Sequence, residues 1–246
     1  MNTRSLALAA AMLLATLITP ASAETFAIVG TGNVGSALGQ RFAELGHTVI
    51  YGSRDPSRES VARLVEATGE GARAMTPAAA AELADVVVLA VPWQATETTV
   101  RSLGNLTGKI VIDPSNPRDE NPDGLLDYPL SESNAELIQR IAPDAHVVKA
   151  FNLMAARVMR DPDVDEGVEY WVPVAGDDDA AKSFVIELIR TMGLKVTDFG
   201  KIRHAHTIEA LYSSLWNMRR QGFDLTLQFQ DYPTDTPRNS SQFVPE

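Results

Sequence analysis

Residues 26–35 read Phe-Ala-Ile-Val-Gly-Thr-Gly-Asn-Val-Gly, and residues 48–54 read Thr-Val-Ile-Tyr-Gly-Ser-Arg, with a helical pattern between them. An apolar strand (Phe26–Val29) that runs into Gly30-x-Gly32-x-x-Gly35 and then into a helix is the setting in which such glycines form a dinucleotide-binding turn. Gly30 suits a tight turn. Gly32 leaves room for a pyrophosphate against the backbone, and Gly35 lets the helix pack close to the strand. The N-terminus of that helix offers free N–H groups and the positive end of its dipole to phosphate.

The second strand selects the dinucleotide. A carboxylate about 20 residues beyond the glycines would hold the ribose 2′-OH of NAD. Here the strand Thr48–Tyr51 ends in Gly52-Ser53-Arg54, Asp55 comes only after the arginine, and Arg58 follows one helical turn on. A hydroxyl with guanidinium groups suits a 2′-phosphate through charge-assisted hydrogen bonds, so the cofactor is read as NADP(H).

The first 23 residues read as a cleaved export signal: Arg4 as the positive region, the 13-residue apolar run Leu6–Ile18, Pro20, and Ala21-Ser22-Ala23 before Glu24. Processing there leaves 223 of the 246 residues. Loss of Arg4 takes Lys plus Arg from 21 to 20 against 32 Asp plus Glu, a change in net charge from −11 to −12. The expected location is periplasmic or secreted, with no membrane attachment after cleavage. An acidic chain without a basic run is a poor nucleic-acid binder. The absence of cysteine removes disulfides, thiol catalysis and thiolate metal sites.

Strand and helix patterns alternate through the rest of the chain, which predicts an α/β Rossmann-type fold: a doubly wound, mostly parallel sheet in one domain. Residues 24–217 are assigned to it and 218–246 to a C-terminal extension, helical at first, with a mobile end from about Pro233. Expected elements include helices over Pro56–Thr68, Ala95–Leu103, Ser133–Ile141 and His204–Trp216, and strands over Val86–Val91, Lys109–Asp113 and His146–Ala150. The Pro/Asp/Asn-rich loop from Pro114 to about Leu130 is the longest interruption, and long loops in compact domains are often functional.

Gly30-Thr31-Gly32-Asn33-Val34-Gly35 with Gly52-Ser53-Arg54-Asp55 resembles the NADPH-dependent deazaflavin (coenzyme F420) oxidoreductases. So do Ala90-Val91-Pro92-Trp93, Ser133-Asn134-Ala135-Glu136 and Val148-Lys149-Ala150-Phe151-Asn152. The last two blocks are also similar to the reductase domain of the six-transmembrane metalloreductases. By this resemblance Thr31, Ser53, Arg54 and Arg58 hold the 2′-phosphate, and Asn33 and Val34 sit at the pyrophosphate. Val91, Pro92 and Trp93 lie beside the ribose and nicotinamide, while Ala150, Phe151 and Asn152 line the side where a small-molecule redox acceptor docks. The implied reaction is hydride transfer between NADP(H) and a flavin-like acceptor, either the deazaflavin F420 or an ordinary flavin. No residue is assigned as a catalytic acid or base, and none as a metal ligand. A reductase of a small imine or carbonyl substrate and a non-enzymatic, exported NADP(H)-binding protein remain the alternatives. The chain permits a homodimer but carries no motif for one.

Other residues have simpler readings. Asn152 either bonds the nicotinamide or acceptor, or caps the next helix. Trp93 either stacks on a ring or packs at a strand end. Lys149, inside an apolar strand, is expected to snorkel to solvent. Asp177-Asp178-Asp179 is read as the cap of the following helix. His204-x-His206 points its two rings apart on a helix, and His47 is structural.

Overall fold

The structure is a computed structural model that describes residues 23–223. Except for Ala23, the residues read as an export signal lie outside them, as does the segment from residue 224 onward, including the end expected to be mobile.

The chain runs β1 (Thr25–Val29), α1 (Asn33–Glu44), β2 (Thr48–Gly52), α2 (Glu59–Thr68), β3 (Arg73–Met75), α3 (Pro77–Leu83), β4 (Val86–Leu89) and α4 (Thr96–Ser102). It continues through β5 (Ile110–Asp113), a two-stranded hairpin of β6 (Asp119–Glu120) and β7 (Leu126–Asp127), α5 (Asn134–Ile141), β8 (His146–Lys149) and α6 (Ala156–Arg160). It closes with β9 (Trp171–Gly176), α7 (Asp179–Thr191), β10 (Lys195–Asp198) and α8 (Ala205–Arg220). The eight main strands form one sheet in the order β10-β9-β8-β5-β4-β1-β2-β3. The six from β3 to β8 are mutually parallel, β9 is antiparallel to β8, and β10 is parallel to β9.

Period-2 alternation sends successive strand residues to opposite faces. Phe26 and Ile28 of β1 join Leu38 and Phe42 of α1 and Val185 and Ile189 of α7 in one buried cluster. Ala27 and Val29 join Ala80 and Ala81 of α3, Val100 of α4 and Ile138 of α5 in the other. Both faces of the central strands are therefore covered, as the unbroken apolar run Val86–Leu89 requires. Each fully buried Leu, Ile or Phe contributes about 1.5–3 kcal/mol from its removal from water.

The local signals for the helices are visible. Thr76 accepts the Ala79 N–H and Pro77 occupies the first helical position of α3. Asp178 caps α7 by accepting the Ala181 N–H, the expected role for that acidic run. Ser133 and Glu136 form a reciprocal capping box on α5. Three expected boundaries shift. The helix foreseen from Pro56 starts at Glu59, after a turn in which Asp55 accepts from both the backbone and the hydroxyl of Ser57. The strand foreseen to Val91 ends at Leu89, where the chain turns toward Pro92. Helix α8 continues through residue 217 to Arg220, so the expected domain boundary falls within a helix.

Chain order reverses at β1, which has β2 on one side and β4 on the other. Ligands of open α/β sheets bind in the crevice outside the carboxyl ends of strands at such a point.

Candidate functional site

The first turn has the shape the glycines foretell. Gly30 has φ +108° and donates its N–H to Gly52 O at 3.0 Å, while a Cβ on it would sit 2.2 Å from Ala90 O. A Cβ on Gly35 would lie 2.0 Å from Gly30 O, so any side chain there would push α1 off the turn. Gly32 differs: its missing Cβ would meet nothing within 4 Å. It borders open space at the start of α1, which has no side-chain cap and no acid in its first turn. The amides and dipole of this helix are left free for an anion. A dinucleotide pyrophosphate fits that cradle.

At the tip of β2, Arg58 Nη2 donates to Thr31 Oγ1 at 3.5 Å, which brings the two loops together. Arg54 is exposed and makes no ion pair among the described residues. The Ser53 hydroxyl donates to Asp55 O at 2.9 Å and accepts the Asp55 N–H at 3.2 Å, so it shapes the turn. Because the Asp55 carboxylate accepts from Ser57, the acid nearest the tip is engaged in its own turn.

From this turn a cleft of about 520 Å³ runs across the sheet ends. Its walls are Gly32, Asn33 and Val34, the stretch from Val91 to Trp93 after β4, and Ser115, Asn116 and Arg118 after β5. Trp93 is both wall and strut, since its indole N–H donates to Arg118 O at 3.1 Å. Among the described residues, the lining holds no carboxylate, imidazole or ammonium group; Arg118 is its one charged side chain.

The third expected wall is different. Ala150 and Phe151 are fully buried, and Phe151 packs near Phe42, so their side chains face the core. Phe151 has φ +66°, a left-handed conformation that is uncommon for a bulky residue. Asn152 reaches the cleft only through a neighbour: its amide donates to Asn116 Oδ1 at 2.9 Å and to Ile208 O at 3.2 Å, and its carbonyl accepts from Asn116 Nδ2 at 2.7 Å. It does not cap α6, whose N-cap is Ala155.

Lys149 overturns its expectation most clearly. It does not snorkel: the side chain is fully buried. Its ammonium pairs with Asp113 Oδ2 at 2.9 Å and Glu209 Oε1 at 2.7 Å, and donates to Ser115 O at 2.5 Å. Asp113 in turn accepts the Ser115 N–H, and Asn134 Nδ2 donates to Ser115 Oγ at 2.7 Å. Glu209 Oε2 accepts from the Tyr128 hydroxyl at 2.7 Å and from the Asn134 N–H at 3.0 Å. Burial alone would lower the Lys149 pKa; the two carboxylates outweigh it and hold the ammonium above its ordinary range. Burial and the charge of Asp113 push Glu209 up, and burial with Glu209 pushes the Tyr128 phenol far up. The blocks around Ser115, Asn134 and Lys149 thus form one buried network that fixes the Ser115–Asn116 wall.

Sequence reading missed Asp113 and Glu209 as members of this site. A signal existed for the first: Asp113 and Lys149 each end an apolar strand, and they are register partners on adjacent strands. Glu209 has no local signal, because its partners arrive only when α8 folds back. His206 packs edge-on against Tyr128 with ring centroids 4.8 Å apart, and His47 accepts the Glu24 N–H beside Phe26.

The sheet, its switch point and the glycine cradle define a dinucleotide-binding α/β protein. Residues 25–117 match the family described as NADP oxidoreductase, coenzyme F420-dependent. The F420-dependent NADP reductase of Methanocaldococcus jannaschii is 31% identical over 198 residues, covering 74% of this chain and 86% of that protein. The metalloreductase STEAP3 of Rattus norvegicus is 29% identical over 194 residues, but the chain spans only 37% of its length. The crystal structure of a putative F420-dependent NADP reductase from Arthrobacter sp. FB24 superposes with a TM-score of 0.73 at 32% identity, covering 80% of this chain and 93% of that one. A reductive aminase of Aspergillus terreus in complex with NADPH, at 18% identity and a TM-score of 0.59, shares the fold. The chain belongs to the F420-dependent NADP reductase family of NADP-dependent oxidoreductases.

Proposed function

We propose that this protein transfers a hydride between NADP(H) and a flavin-like acceptor, with a deazaflavin of the F420 type as the favoured one. The observation that carries the reading is the cleft itself. It joins a phosphate cradle at Gly32 to a chamber at the strand ends whose wall, among the described residues, offers no acid or base. Reduction of a carbonyl or imine needs a proton delivered to oxygen or nitrogen. Transfer to a second hydride carrier needs chiefly alignment and exclusion of water.

In this reading Gly32, Asn33 and Val34 take the pyrophosphate, and Thr31, Arg54 and Arg58 take the 2′-phosphate, while Ser53, whose hydroxyl is engaged with Asp55, shapes the turn that presents them. Val91, Pro92 and Trp93 hold the ribose and nicotinamide side. Asn152 braces Asn116 on the acceptor side, and Ala150 and Phe151 support it from the core. The bound dinucleotide supplies the hydride from its nicotinamide ring. The relatives named as F420-dependent NADP reductases support the choice of acceptor.

We also propose export with processing before Glu24. In support, β1 begins at Thr25, and the Glu24 carbonyl already accepts the Thr48 N–H at 3.0 Å.

The test is NADPH oxidation by the purified protein with deazaflavin, FMN, riboflavin or a ferric chelate as acceptor. Fast turnover with deazaflavin and slow turnover with the others is the expected result. NADPH binding without reduction of any acceptor would leave the non-enzymatic alternative as the better account.

A further inference from the structure

Arg118 is unusual for its surroundings. It is the one charged residue lining the cleft among the described residues, in a chain of net charge −11. The two residues that follow it are acidic, yet no carboxylate pairs with it among the described residues: Glu120, two positions on, pairs with Arg220 at 3.7 Å. Arg118 is instead held by neutral groups. Its guanidinium lies over the Tyr212 ring, 5.2 Å from the centroid, and Nη1 donates to the Tyr212 hydroxyl at 2.9 Å. Its backbone carbonyl accepts from Trp93. Tyr212 is itself stacked on Trp216 at 6.4 Å. An arginine positioned by an aromatic face keeps its charge and most of its five N–H donors for a ligand.

Its place in the sheet separates it from the other phosphate sites. Arg54 and Arg58 follow β2, whereas Arg118 follows β5, three strands along in the order β2-β1-β4-β5. At about 4.8 Å per strand that is about 14 Å. A single dinucleotide with its 2′-phosphate at Arg58 and its pyrophosphate at Gly32 leaves Arg118 at the opposite end, where the second substrate enters.

We propose that Arg118 is the specificity-determining residue of the acceptor subsite, recognising an anionic group on the acceptor's side chain. This rests on the hydride-transfer reading above for the placement of the acceptor. Tyr212 holds the guanidinium and Trp93 holds the backbone carbonyl of the same residue, so the anion meets a prepared partner. Lysine at this position lacks the planar face that stacks on Tyr212 and recovers only part of the effect.

FMN and riboflavin carry the same ring and differ by one phosphate, which makes them a matched pair of probes. Their binding is measured by fluorescence quenching with the full chain saturated with NADP⁺, for the wild type, R118A and R118K. The wild type is expected to bind FMN at least about tenfold tighter than riboflavin, as one charge-assisted hydrogen bond allows. In R118A the two are expected to fall within about twofold of each other, with R118K between. The NADP⁺ Kd should move by less than about threefold, because R118A leaves the cradle untouched. An unchanged FMN preference in R118A, a loss of NADP⁺ affinity matching that of FMN, or no binding of either flavin overturns the proposal. Turnover separates the two claims. Selective FMN binding with no NADPH oxidation by either FMN or a deazaflavin defeats hydride transfer alone, while equal use of both flavins defeats the role of Arg118 alone.

Discussion

Lys149 and Asp113 are register partners on adjacent parallel strands, and their side chains form a fully buried ion pair at 2.9 Å. Glu209 from α8 adds a second carboxylate to the same ammonium. A charge buried this deeply survives only when paired and hydrogen-bonded, and removal of one partner leaves the others stranded. Lys149→Met is therefore expected to destabilise the protein by about 3–5 kcal/mol, measured by urea unfolding. The Lys149 pKa is raised above 10.5, so its stabilising contribution is complete below that pH and is lost as pH rises through the folded value. A loss below about 1 kcal/mol in the methionine variant would show that the pair is not desolvated.

Glu209 should behave in the opposite sense to a usual salt-bridged acid. Its pKa is raised above 4.5, chiefly by burial, so the fold favours the protonated carboxyl. Stability from that preference is present at low pH and is lost as pH rises from 4.5 through the folded value. Glu209→Gln cannot lose it. The stability of the glutamine variant relative to the wild type should therefore increase between pH 4 and pH 8, read from denaturant melts at each pH. A relative stability that declines over that range would mean the pairing with Lys149 outweighs burial.

The two glycines of the first turn should separate folding from binding. Gly35→Ala places a Cβ 2.0 Å from Gly30 O, so the turn and α1 must part. Both stability and NADPH affinity should fall. Gly32→Ala meets no protein atom within 4 Å, and its φ of −82° suits alanine. It should change stability by no more than about 1 kcal/mol, yet weaken NADPH by about tenfold or more through the lost approach of the pyrophosphate. Calorimetric titration beside thermal melts checks both.

Cofactor choice should reside at the β2 tip. Arg54→Glu and Arg58→Glu are each expected to raise the Kd for NADPH at least about tenfold while changing that for NADH much less. Equal losses for both cofactors would refute the assignment of the 2′-phosphate to these residues.

Much of this was legible in the chain. Strand, glycine turn and helix follow from local pattern, and so do the caps at Thr76, Ser133 and Asp178, because their physics is contained within a few residues. The buried network was not, since it is assembled from four distant segments. In the sequence, Ala150-Phe151-Asn152 reads as a cleft wall and Lys149 as a side chain that snorkels to solvent. Burial of Ala150 and Phe151 turns that block into the support beneath the wall, and Lys149 into the post that holds Ser115. The Pro/Asp/Asn-rich stretch after Pro114 reads as the longest loop of the domain. It folds into a short hairpin fastened to α8 by paired hydrogen bonds between Asn217 and Leu126, a contact spanning 91 positions that no local window contains.

Transfer of isotope tests the central claim most directly. NADPH deuterated on either face of the nicotinamide C4 is incubated with the protein and a deazaflavin, and the reduced deazaflavin is examined by mass spectrometry. The account predicts that one of the two labelled cofactors delivers its deuterium quantitatively to the acceptor ring, with no exchange into water. Reduced acceptor without label from either cofactor, or no reduction while NADPH binds in the cleft, would contradict direct hydride transfer between two ligands held side by side.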